Sequence, residues 1–247
     1  MDRSTRLGRT IFAVGAAALG LQHLITGNFG PGLEAVPAWV VGRTELAYLT
    51  GLALCLGALG VLAAVRRRQG AVLVAIAFSA LFVFLQWPLL IYHVTDPNVW
   101  TTVFETLALS GAAWTLVTST AAPGEKRVPP ALGRLAYGLA LPAFGILHFK
   151  YAHFVGTLIP AWIPLRTAWA VFIGICFVAA GLAIVTRIRA RLAATLLGAM
   201  FGSWVVLLHI PLVITSHGAG GKWTSLFVAT MMCGGAWMVG GQDAFGA

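Results

Sequence analysis

The side chains best suited to proton exchange or ligand binding in this 247-residue chain are a few histidines, two acids and a glutamine set in apolar surroundings. Imidazole and carboxyl groups can exchange protons with a bound molecule, and an amide can hydrogen-bond to it. Ionisable groups at membrane depth cost free energy and therefore mark functional sites. We expect ligand binding or proton exchange at His23, Glu45, Gln86, Glu105, His148 and His209.

Several of these positions also have a structural interpretation. His23 and His148 stand near the ends of predicted helices, where an imidazole can hydrogen-bond to loop carbonyl groups at the membrane surface. Glu45 falls in the first turn of a helix, where a carboxylate complements the helix dipole. Gln86 can join two helices by a hydrogen bond. The sequence leaves both interpretations open.

The composition requires a solvent other than water for most of the chain. Hydrophobic residues make up 59% of it and charged residues 9%, against about 25% charged residues in a soluble domain. The sequence therefore predicts a polytopic membrane protein, for which the lipid bilayer is the first partner. The net charge of +9 comes without the basic and aromatic interleaving of a nucleic-acid surface, so no nucleic-acid partner is expected.

Apolar runs long enough to cross a bilayer predict an all-α bundle of eight transmembrane helices. The three cysteines, Cys55, Cys176 and Cys233, lie in apolar runs without the spacing of a metal site, so no metal is expected. The eight runs lie near residues 9–28, 44–65, 71–93, 99–119, 132–155, 166–186, 190–214 and 223–241.

The chain repeats itself after a shift of 123 residues. The shift places Pro37-Ala38-Trp39 on Pro160-Ala161-Trp162, and Pro88 on Pro211. Upstream, a further slip of two residues places His23 on His148. We interpret residues 1–122 and 123–247 as two copies of one four-helix unit, which run parallel because each copy has an even number of spans.

Loop charges predict the orientation. The face that carries most basic residues faces the cytoplasm, which places both termini there, in the inner (plasma) membrane. The opposite face keeps only Arg43, Lys150, Arg166 and Lys222. Twelve of the sixteen basic residues are on the predicted cytoplasmic face, namely Arg3, Arg6, Arg9, Arg66, Arg67, Arg68, Lys126, Arg127, Arg134, Arg187, Arg189 and Arg191.

This orientation puts the candidate site residues in the outer half of the membrane. His209 lies about 27 Å along its helix from the cytoplasmic Arg191, and Gln86 occupies the matching position in the first copy. The copies differ in chemistry, since Glu105 is matched by Val228. A single site between the halves would therefore combine carboxylates from the first copy with imidazoles from the second.

The motifs Gly145-Ile-Leu-His148-Phe, Ile159-Pro-Ala-Trp-Ile-Pro164 and Leu208-His-Ile-Pro211 resemble those of the DoxX-like family of small membrane proteins. The first half matches less closely, because Gln86-Trp87-Pro88 replaces the leucine, histidine and proline. The family takes its name from a subunit associated with a membrane thiosulfate:quinone oxidoreductase and quinol oxidase. The resemblance implies a four-helix unit and places His148, His209 and, by partial match, His23 among the residues to test.

The leading functional interpretation is a protein that binds a small amphipathic molecule, with a quinone as the candidate, in an outer pocket. It would act as an accessory subunit that works together with redox subunits in the membrane. Three other functions fit the same residues: a transporter, an acid/base enzyme acting on an isoprenoid or lipid through Glu45 or Glu105, and a structural scaffold. Haem is not expected, because the histidine spacing does not match that of a bis-histidine four-helix cytochrome.

Overall fold

The computed structural model describes residues 3–33, 36–37, 39–121, 128–217 and 219–242, which form helices joined by short connections. Ala38, Lys126, Arg127 and the predicted boundary between the two copies lie outside the described residues. The helices in the described part of the chain are α1 (Arg3–Thr26), α2 (Arg43–Leu62), α3 (Arg67–Tyr92), α4 (Pro97–Ser119), α5 (Pro130–Lys150), α6 (Ala152–Leu158), α7 (Arg166–Thr186), α8 (Ala190–Thr215) and α9 (Gly220–Gln242).

Six of the described helices are long and apolar enough to cross a membrane, which is the pattern of a multi-pass membrane protein. They are α2, α3, α5, α7, α8 and α9. The helices α1 and α4 have comparable lengths of 24 and 23 residues. The apolar segment predicted near 132–155 is divided, because Tyr151 leaves helical geometry (φ −117°, ψ 29°) and separates α5 from the short α6.

Two of the described helices, α3 and α8, change their hydrogen-bond pattern just before an internal proline. Leu81–Gln86 in α3 and Val205–His209 in α8 are π-helical. Trp87 donates its backbone N–H to the Phe82 carbonyl, and Ile210 donates its backbone N–H to the Val205 carbonyl, in each case five residues back. Pro88 and Pro211 have no N–H to continue the α-helical ladder, so the register shifts at these two points.

Within the residues that the structure describes, eight helices pack side by side in a closed ring, and two of them, α4 and α9, also contact each other across its centre. The first four helices contact one another in chain order, and α5, α7, α8 and α9 do the same. The α1–α9 and α4–α5 contacts join the two groups, and α4 also packs on α9 across the centre. Each contact of one group therefore has a counterpart in the other.

Glycines bring these helices into backbone contact at matching places. Gly111 on α4 faces Gly133 on α5, and Gly8 on α1 faces Gly234 on α9. A Cβ atom on any of these four residues would lie less than 3.0 Å from the carbonyl oxygen of its partner. Small residues permit such close approach in membrane helix pairs, so these glycines hold the two halves together.

Backbone conformation also agrees at positions 123 residues apart. Gly42 precedes α2 with φ 69°, and Leu165 precedes α7 with φ 54°. After these two helices, Ala64 and Arg187 have φ of 63° and 66°. A non-glycine residue with positive φ is uncommon, so the agreement at both ends of α2 and α7 reflects the same helix geometry in each half.

Candidate functional site

A cavity of about 1200 Å³ opens between α7 and α8 in the second half of the chain. Both helices line it along much of their length, and its walls are mostly apolar. The helices α4, α5 and α9 contribute side chains only near one end of the cavity, together with Gly32, Leu33 and the 159–163 connection.

Three of the six predicted site residues face this cavity. Glu105 comes from α4, His148 from α5 and His209 from α8. Thr224 on α9 also lines the cavity. These residues lie at the end of the bundle where α4 and α9 begin and where α5 and α8 finish. The structure therefore brings a carboxyl group of the first half and two imidazoles of the second half to one end of one cavity.

The imidazole of His148 is held by its own helix. Its Nδ1 donates a hydrogen bond to the Phe144 carbonyl oxygen at 2.8 Å, one turn earlier. A carbonyl oxygen only accepts, so the neutral ring carries its proton on Nδ1 and has Nε2 as an acceptor. The ring packs edge-on against Phe177 at 5.2 Å between centroids. His148 can therefore accept a hydrogen bond or a proton from a molecule in the cavity.

The position of His209 depends on the π-helical turn. It is the last residue of the Val205–His209 segment and is partly buried. Its Nδ1 is buried and makes no hydrogen bond with any described residue. A buried polar atom without a partner costs about 1–3 kcal/mol, and a bound molecule could supply that partner.

The carboxyl group of Glu105 is also without a partner in the part of the chain described by the structure, where it makes no hydrogen bond or ion pair. Its side chain is partly buried and faces the cavity. Thr224 and Val228, which match Thr101 and Glu105 after the 123-residue shift, line the same cavity, so valine stands where the first half has a carboxyl group. The cavity therefore has different chemistry on its α4 and α9 walls.

The other three predicted site residues do not reach the cavity. His23 is fully buried, and its Nε2 accepts a hydrogen bond from the Gly30 N–H at 3.2 Å. Gln86 is also fully buried, at the end of the π-helical turn of α3. Glu45 lies exposed in the first turn of α2.

The sequence did not point to an aromatic cluster that forms part of the cavity wall. Phe177 contacts the rings of Phe144, His148, Phe201 and Trp204, with centroid distances of 5.2–5.9 Å. The spacing of Phe144 and His148, and of Phe201 and Trp204, places each pair on one helix face. This spacing in the sequence was the signal that could have predicted the aromatic cluster. Phe177 contacts both pairs and joins them.

No family model, curated protein or solved structure matches this chain. The resemblance to the DoxX-like family therefore stays a prediction from sequence motifs. Among the described residues, no three His, Cys, Asp or Glu side chains are grouped so that they could hold a metal ion.

Proposed function

We propose that this protein binds a small amphipathic molecule of the quinone class in the α7–α8 cavity and serves membrane redox subunits as an accessory. The observation that carries the proposal is the large, mostly apolar cavity with Glu105, His148 and His209 at one end. Ligand sites are commonly apolar, with a few polar groups that fix orientation. A quinone matches this pattern, because it joins an apolar body to two carbonyl oxygens.

The three polar residues have complementary roles in this proposal. Reduction of a quinone to a quinol takes up two electrons and two protons. The partner subunits supply the electrons, and the imidazoles of His148 and His209 exchange the protons. When Glu105 is ionised, its carboxylate at the same end of the cavity stabilises a protonated imidazole during this exchange. The Thr224 hydroxyl group is available to hydrogen-bond to the ring.

We further propose that eight helices cross the inner membrane as two parallel four-helix repeats of the DoxX-like kind, with both termini in the cytoplasm. The matched glycine contacts of Gly8–Gly234 and Gly133–Gly111 support the repeat. The arginines at the α2–α3 and α7–α8 connections support the orientation. In this orientation the polar end of the cavity lies in the outer half of the membrane.

The proposal is tested by mass spectrometry of organic extracts from the gently purified protein. The samples are the wild type, His148→Ala, His209→Ala and the control His93→Ala, which changes an exposed histidine outside the cavity. We expect a quinone in the wild type and the control, and its loss from the two cavity variants. The proposal is wrong if the wild type carries no quinone, or if all four folded proteins carry the same amount.

A further inference from the structure

The cavity extends well beyond its polar end. A groove between α7 and α8 continues toward the opposite end of the bundle, where Arg189 precedes α8. From His209 back to Ala193, the lining of α8 covers about 24 Å at 1.5 Å per residue. The side chains that line this groove include Ala180, Ala183, Ala193, Leu196, Leu197 and Met200.

The groove has a specific cause in the sequence. At the matching α2–α3 contact, Gly57 and Gly70 touch through their backbones, and a Cβ atom on either would lie less than 3.0 Å from the carbonyl oxygen of the other. Gly60 also lies against Gly70 in this contact. After the 123-residue shift, the positions that match these three glycines are occupied by Ala180, Ala183 and Ala193.

Alanine cannot reproduce the glycine contact, because its methyl group would occupy the space of the facing backbone. All three alanines line the cavity. The first half is thus closed where the second half is open. The first half is closed at its polar end as well, where His23 is covered by the segment containing Gly30.

The groove is accessible from the side of the bundle. Phe172 on α7 is 52% exposed, and Leu192 and Leu196 on α8 are 52% and 61% exposed, although all three line the cavity. These apolar side chains lie at the outer edge of the groove, on the surface that faces the hydrocarbon of the bilayer in our proposal. A molecule can therefore pass between bilayer and cavity without crossing a polar surface.

We propose that the α7–α8 groove holds the hydrocarbon tail of a long-chain quinone, which enters from the bilayer between these helices, and that each chain binds one such molecule. The proposal rests on the proposed function, since the polar end must hold the quinone ring. The polarity of the cavity favours this direction of binding, with the ring near His148 and His209 and the tail along the alanines.

The test uses two probes on the full chain stripped of bound quinone in detergent: a quinone with a decyl chain, and the same ring with a methyl group instead. The groove variant is Ala180→Leu combined with Ala193→Leu, which fills space far from the polar residues. The control is Ala199→Leu, an exposed position on α8 outside the cavity. Binding is measured by titration.

We expect the groove variant to bind the decyl probe at least about tenfold more weakly, because overfilling a packed site is unfavourable. It should bind the methyl probe as the wild type does, and the control should bind both normally. If the groove variant binds the decyl probe like the wild type, the tail does not occupy the groove, while the proposed function stands. If the wild type binds neither probe, the proposed function fails.

Photo-crosslinking provides a second test that needs no variant. A quinone with a diazirine at the end of its decyl chain should label the α8 peptide around Ala193, with one label per chain. Labelling confined to the region around His209 would overturn the proposal. The bound lipids of the wild type and the groove variant are compared by mass spectrometry of organic extracts. If the groove variant loses a phospholipid and keeps its quinone, a phospholipid chain near Arg189 occupies the groove and the proposal is overturned.

Discussion

His23 and His148 occupy matching positions near the ends of α1 and α5, yet their imidazoles have different surroundings. The His23 ring is fully buried and accepts a hydrogen bond from the Gly30 N–H. The His148 ring lines the cavity and donates to the carbonyl of Phe144, a residue of its own helix. One histidine therefore holds a connection in place, while its counterpart is available to a ligand.

This difference predicts unequal effects of two matched substitutions on stability. His23→Ala removes the imidazole acceptor of the Gly30 N–H and a fully buried ring, so it should lower the free energy of unfolding by about 3 kcal/mol. His148→Ala opens space that already adjoins a cavity and should cost about 1 kcal/mol or less. Unfolding of the ligand-free protein in detergent measures both. Equal losses would contradict the separate roles.

The glycine and alanine positions of the two halves predict a second asymmetry. Gly70→Ala places a methyl group against the Gly57 carbonyl oxygen and should destabilise the protein by about 3 kcal/mol. Ala193→Gly, at the matching position, should cost about 1 kcal/mol through helix propensity alone. The same unfolding measurement compares the two. A tolerated Gly70→Ala would show that the contact between α2 and α3 can accommodate a methyl group without a large loss of stability.

The all-helical fold was predictable because long apolar runs leave few alternatives in a membrane. The structure confirms this coarse prediction, and each predicted run lies largely within helices. The break at Tyr151 was not predicted, because no glycine or proline lies in residues 147–155, and Lys150 and His153 are equally compatible with the polar end of a continuous helix. There the chain turns to form α6, whose residues help to line the cavity.

The candidate site was only partly accessible to sequence reasoning. Matching the two halves showed that Glu105 and His209 have no chemical equivalents, but only the packing of α4, α5, α8 and α9 shows that both line one cavity. Residue type alone could not predict which of these side chains is buried, because His23 and His148 are aligned in the sequence comparison and yet only His23 is fully buried. Alanine at 180, 183 and 193 takes the place of Gly57, Gly60 and Gly70 when the sequence is compared with itself at a shift of 123 residues, and this difference was the missed signal for the groove.

The proposed orientation predicts the behaviour of topology reporters. A green fluorescent protein fused to the C-terminus should fluoresce, because that end faces the cytoplasm in our proposal. Alkaline phosphatase inserted after His217, in the α8–α9 connection, should be active, and the same insertion after Arg66 should be inactive. The opposite pattern of phosphatase activity would mean that the arginine-rich face is outside, which would place the polar end of the cavity in the inner half.

The two prolines provide a test of how α8 positions His209. In Pro211→Ala, the restored N–H can pair with the Leu207 carbonyl and convert the π-helical turn to α-helix, which rotates His209 relative to the rest of α8. We expect about tenfold weaker binding of the methyl quinone probe, with His209 itself unchanged. Pro88→Ala makes the matching change in α3, outside the cavity, and should leave affinity within about twofold of the wild type. Titration of both variants, with their melting temperatures measured in parallel, separates a local change at His209 from a loss of folding. Normal binding by a folded Pro211→Ala protein would show that the π-helical turn does not set the ligand geometry.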